Sequence, residues 1–142
     1  MANNIIDEAS GQEIVTAAQE IGADYTRRGV KYKLGGDAST GGKFSDCSHY
    51  VNHVLNQSGF NLDFVSTSGI GNSPDYELVS PDDSVPGMVL VQGGHMGIFT
   101  GFDSNDMVRG WQMGNHGVLN AKWGVGGWFD KAQDLRFYSP IA

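Results

Sequence analysis

A single cysteine, Cys47, stands among 142 residues. One cysteine cannot form an internal disulfide, so no oxidising compartment is implied. Basic side chains are also few: 9 lysines and arginines face 16 aspartates and glutamates, for a net charge of −7. Phosphate recognition needs clustered positive charge, so nucleic acid is excluded as a partner, and an anionic membrane or wall surface exerts no pull. No apolar run approaches the roughly 20 residues that span a bilayer. The opening stretch MANNIIDEASGQEIVTAA has neither the basic start nor the apolar centre of a signal peptide. Repeats, charge blocks and a convincing linker are all missing, so one domain over residues 1–142, made as a soluble cytoplasmic chain, is expected.

Glycine is abundant, at 21, with a dense run from Gly93 to Gly127. Aromatic residues are interleaved with it, which points to tight turns and close backbone approaches rather than disorder. Residues 10–28 read as a first helix: Ser10 and Glu13 fit a capping box, Ile14, Ala17, Ala18, Ile21 and Tyr25 form one apolar stripe, and Gly29 ends it. VKYKLGGDASTGGKF follows as a short extended piece and a glycine-rich loop. A second helix starts near Cys47, capped by Ser45 or Asp46, with Cys47, Tyr50, Val51, Val54 and Leu55 on its apolar face and Gly59 as its stop. Residues 60–86 read as irregular loops around a site. Strands are expected at 88–92, 95–102, 107–113 and 134–139. Helices first and successive, hence mostly antiparallel, strands afterwards predict an α+β fold with N-terminal helices packed on a sheet.

Cys47 lies on an apolar stripe, as an inert core cysteine would. It also occupies the first turn of a helix, where unpaired N–H groups favour an anion and can lower a thiol's pKa. A base must come from four histidines. His49 and His53 sit four apart on the outer face of the second helix; with no third ligand in view, a solvated face is expected and no metal or other cofactor is called for. His116 looks like a turn residue. His95 opens a strand among Gly93, Gly94 and Gly97, which leaves room for a substrate backbone, and is the best base candidate. Asp46 is read as a helix cap rather than an acid catalyst.

Four segments occur together in order: YKLGG (32–36), DCSHYVNHVL (46–55), VPGMVLV (85–91) and HMGIFTG (95–101). Over roughly residues 30–112 the chain resembles the NlpC-type cell-wall peptidases, which have a papain-like fold. The resemblance implies Cys47 as nucleophile and His95 as general base, acting on amide bonds in peptidoglycan stem peptides. Two positions depart from the family pattern: His49 replaces the usual glycine after Asp-Cys-Ser, and Met88 the usual aspartate after Pro-Gly. They mark a divergent branch with a different wall around the cleft.

Cleavage would run through a Cys47 acyl-enzyme. Oxyanion donors are sought in the backbone N–H of Cys47 or Ser48 at the helix start and, from the family pattern, in the Tyr32 hydroxyl. If 95–102 and 107–113 form a hairpin, 102 pairs with 107 and 97 with 112. Gln112 then shares a face with His95, and its amide oxygen can accept the imidazole N–H. Counting along the family pattern points instead near Arg109, which can only donate; a dyad without a third member stays open. Trp111, Trp123 and Trp128 are either an aromatic groove surface or core and turn-covering residues. The resemblance, with no secretion signal in view, suggests an antibacterial effector delivered by a specialised system such as type VI secretion into the target cell's periplasm and wall, with a cognate immunity protein as partner. The alternatives are a phage-type lysin, an acyltransferase or transamidase using the same Cys–His chemistry, or a non-enzymatic binding domain that keeps the fold without turnover.

Overall fold

The computed structural model describes residues 4–124 and 135–141. Its elements are α1 (Glu8–Arg28), β1 (Lys31–Tyr32), β2 (Phe44–Ser45), α2 (Cys47–Gln57), β3 (Tyr76–Val79), β4 (Val89–Gln92), β5 (His95–Phe102), β6 (Val108–Gly114), β7 (Gly117–Trp123) and β8 (Leu135–Pro140), with single 3₁₀ turns at Ile70–Asn72 and Pro81–Asp83. β1 and β2 form a small parallel pair, and the other six strands form one sheet in the order β3-β8-β4-β5-β6-β7 with every neighbour antiparallel. The α+β class holds, with both helices packed against β5 and the β6–β7 end of the sheet.

The cap of α1 is Asp7, whose side chain accepts the N–H of Ser10, so the Ser10–Glu13 capping box is replaced by an acceptor one turn earlier. Gly29 ends the helix as expected, in the left-handed conformation at φ 70°. Every member of the Ile14–Tyr25 stripe is buried. An isolated helix of 11 residues, the length of α2, is marginal in water. Burial of Tyr50, Val51, Val54 and Leu55, at roughly 1.5–3 kcal/mol for each large apolar side chain, holds it in place. The Tyr50 hydroxyl donates to the Ala18 carbonyl at 2.8 Å and ties the two helices together. The start of α2, and with it Cys47, is therefore positioned by core packing.

Two strands of the six-stranded sheet were not anticipated. β3, in the supposed loop region, pairs with β8 at the sheet edge, and β7 pairs with β6 along its whole length. The β5–β6 hairpin carries an irregularity between Phe99 and Gly101. Near the turn Phe102 pairs with Val108, one residue beyond the predicted 107. Beyond the bulge Ile98 pairs with Trp111, a register that sets 97 opposite 112 as expected. The extra residue at Thr100 absorbs the difference.

Candidate functional site

Asp46 is the cap of α2: its side chain accepts the backbone N–H of His49 at 2.8 Å. The other carboxylate oxygen takes the Gly35 N–H at 2.8 Å, anchoring the glycine-rich loop to the start of the helix. This agrees with a structural role for Asp46. Cys47 follows, 6% exposed, at the floor of a cleft of about 440 Å³ lined by Tyr32, Leu34, His49, Phe64 and Thr67, among others. The Thr67 hydroxyl lies 3.9 Å from the sulfur. The backbone N–H groups of Ser48 and Met96 also donate towards it. Met96 is the residue after His95, so the sulfur abuts the opening of β5.

Burial pushes the Cys47 thiol above its ordinary value and Asp46 adds to the rise; the bonds from Met96, Thr67 and Ser48 pull the other way without cancelling it. A thiolate stabilised by the helix end was the sequence-based expectation, and it is corrected here. The physical reason is tertiary: the helix end is already occupied by a carboxylate, and desolvation disfavours the anion. Burial thus favours the neutral thiol over the thiolate at Cys47.

His95 is half-buried, and its Nε2 lies 2.7 Å from Gln112 Oε1. An amide oxygen only accepts, so Nε2 carries the hydrogen and Nδ1 holds the lone pair a base requires. Gln112 itself is 1% exposed, and its Nε2 lacks a partner among the described residues. An orphaned buried donor costs about 1–3 kcal/mol, and it accompanies the bond that orients His95. The imidazole ring is also stacked on Trp123, with centroids 5.4 Å apart. Gly97 makes this possible: a Cβ there would stand 2.5 Å from both the Trp123 ring and the Trp111 carbonyl oxygen. Burial lowers the pKa of His95 below the ordinary imidazole value, outweighing the opposing bond from Gln112.

The remaining predicted residues distribute as follows. Tyr32 lines the Cys47 cleft, and its phenol is raised by burial first, then by the proximity of Cys47 and Asp46. The Ser48 hydroxyl is committed to Asp46 at 3.2 Å, leaving its backbone N–H as the group directed at the sulfur. Arg109 reaches the Asn120 carbonyl at 3.1 Å, away from His95. His116 lies in the β6–β7 turn and is exposed. Trp123 is fully buried core, Trp111 packs half-buried against it, and Trp128 lies outside the described residues. Met88 is fully buried.

The solvated face expected of His49 and His53 is not what the fold provides. His49 lines the cleft with its Nδ1 2.8 Å from Asp46 Oδ1, and His53 Nδ1 lies 2.8 Å from the Tyr25 hydroxyl between the two helices. Both rings are drawn in because their neighbours supply hydrogen-bond partners and aromatic surface. Phe64 and Thr67, which complete the cleft, went unrecognised in sequence; the short apolar cluster Phe60, Leu62, Phe64 and Val65 within the loop region was the only signal.

No family model, no curated protein and no solved structure matched this chain.

Proposed function

We propose that the chain is a cysteine amidase or endopeptidase of papain-like, NlpC-type architecture that hydrolyses amide bonds in bacterial peptidoglycan stem peptides. One observation carries the reading: the only thiol sits at a helix start, in a cleft, against the backbone N–H next to an imidazole that is itself oriented by a buried amide. Nucleophile, base and orienting group are the three parts such chemistry needs.

In this scheme His95 Nδ1 takes the Cys47 proton as the sulfur attacks the substrate carbonyl, forming the C–S bond. The C–N bond breaks as the imidazolium returns that proton to the leaving amine. Water, activated by the same nitrogen, then hydrolyses the thioester and releases a carboxylic acid. A neutral thiol needs the base during attack, so turnover depends on His95 being unprotonated. The Ser48 backbone N–H points at the sulfur and Tyr32 lines the same cleft, and the two would donate to the developing oxyanion. Such an enzyme would be toxic to any cell whose wall it reached, so a producing cell would require a partner protein that blocks the cleft.

The deciding experiment is digestion of purified peptidoglycan by wild type and Cys47→Ala, with fragments read by mass spectrometry. Wild type should release peptides bearing new amino and carboxyl ends, and the variant should release less by about a thousandfold or more. Products joined to an added amine rather than to water would make it an acyltransferase. Equal fragment patterns from both proteins would remove the proposal.

A further inference from the structure

The Cys47 cleft has a wall that the hydrolytic scheme leaves unused. His49 stands two positions after the nucleophile and lines the same cavity. Its Nδ1 is 2.8 Å from Asp46 Oδ1, and its ring is stacked on Phe64 with centroids 3.9 Å apart and planes 15° from parallel. Burial works against the Asp46 charge, but the N–H groups of His49 and Gly35 and the His49 ring outweigh it and hold the carboxyl below its usual range. The carboxylate therefore keeps a hydrogen on His49 Nδ1. With that nitrogen bound and one ring face covered, the Nε2 edge is the part of the imidazole left for a ligand. Capping alone does not require this arrangement, because Asp46 already caps α2 through the backbone of His49.

Charge makes the position specific. Among the described residues no lysine or arginine lines this cleft, and His49 is the one lining side chain able to carry positive charge. The one lining carboxylate, Asp46, is engaged by His49 Nδ1 and by the N–H groups of His49 and Gly35 rather than left to face a ligand. The chain as a whole has a net charge of −7, which repels anions. A carboxylate entering the cleft loses water and needs a charge-assisted partner there. The Tyr32, Ser66, Thr67 and Ser68 hydroxyls can donate but cannot offset a charge.

Resting on the hydrolytic reading above, we propose that His49 is a specificity-determining residue whose Nε2 takes a free carboxylate of the substrate close to the scissile amide, with Phe64 holding the ring in place. Stem peptides offer such carboxylates, and converting one to an amide removes its charge without altering the chain.

The test compares two synthetic stem peptides of identical sequence, one with the carboxylate beside the scissile bond free and the other with it amidated. Wild type should favour the free acid in kcat/KM by about tenfold, the size of one charge-assisted hydrogen bond. His49→Gln, which keeps a donor but no charge, should bring the ratio to about one. Phe64→Leu leaves His49 and the Asp46 cap intact and should lower the ratio part-way, so it carries the test if the His49 variant does not fold. A wild-type ratio near one, or a ratio that His49→Gln leaves unchanged, overturns the assignment while Cys47-dependent hydrolysis stands. No Cys47-dependent cleavage of either peptide overturns both readings together, and is thereby distinguished from failure of this one alone.

Discussion

His95 and His53 invite comparison because their electrostatics are so alike. Each is half-buried, each has one ring nitrogen within hydrogen-bond reach of a neutral partner, and in each burial draws the pKa below the ordinary 6.5. Their surroundings differ. His53 lies between α1 and α2 against the Tyr25 ring, centroids 5.7 Å apart, with Asp37, Arg28 and Asp24 as its charged neighbours. His95 opens a strand, is stacked on Trp123, and precedes the residue whose N–H points at the Cys47 sulfur. A shifted imidazole marks burial in either place. A thiol, a helix start and a cleft gathered beside it are what make His95, and not His53, part of the candidate site.

The largest effect that could break this comparison comes from exchanging each ring. His95→Ala removes the proposed base and should lower kcat by about 10²–10⁴-fold in the peptidoglycan assay. If His53→Ala lost as much, the two regions would have to be joined into one mechanism. The pH profile sharpens the contrast. His95 must be neutral to accept the thiol proton, and its folded pKa is lowered. The acid limb of kcat/KM should therefore fall below pH 6.5, with activity lost as pH drops through it. An acid limb above that value would contradict a buried, desolvated base.

A smaller effect is expected at Gln112. Gln112→Leu removes the acceptor for His95 Nε2, and the loss of one oriented, buried hydrogen bond corresponds to about tenfold to a hundredfold in turnover. Gln112→Glu restores an acceptor and adds a negative charge, so it should raise the pKa of His95 and move the acid limb to higher pH. Unchanged kcat in the leucine variant would reduce the candidate site to a dyad.

How far these residues were legible from sequence depended on whether the governing contacts were local. The α1 and α2 stripes were visible because helical periodicity records a buried face directly, and Gly29 announced its own left-handed turn. Asp7 was missed as a cap because Ser10 and Glu13 imitate the same signal one turn later. β3 stayed hidden because only Tyr76 and Val79 are buried while Leu78 is 61% exposed. β7 was obscured by exposed Leu119, Asn120 and Lys122 among glycines. The Gln112 register could be counted from the hairpin, although the bulge at Thr100 corrected a turn that was one residue off. The direction of the Cys47 shift was out of reach: helix position predicted a drop, and the burial that reverses it comes from segments distant in sequence, β5 and the Thr67 loop.

The smallest expected effect belongs to His53 and concerns stability. Burial pushes the Tyr25 phenol up to about 12, so at neutral pH it keeps its hydrogen and can donate to His53 Nδ1. Protonating that nitrogen ends the arrangement and places a charge between two packed helices. The folded pKa of His53 is lowered, so between the folded value and 6.5 the unfolded chain binds more protons than the native one. Its contribution to stability is therefore complete above 6.5 and is lost as pH falls through the folded value. Thermal unfolding of wild type and His53→Gln, followed from about pH 7 to about pH 5, should show a shallower fall in Tm for the variant. The slope should not vanish, because the pKa of His95 is shifted in the same direction. Parallel curves would mean that the Tyr25–His53 contact does not distinguish the protonation states, and the resemblance between the two histidines would then be one of burial alone.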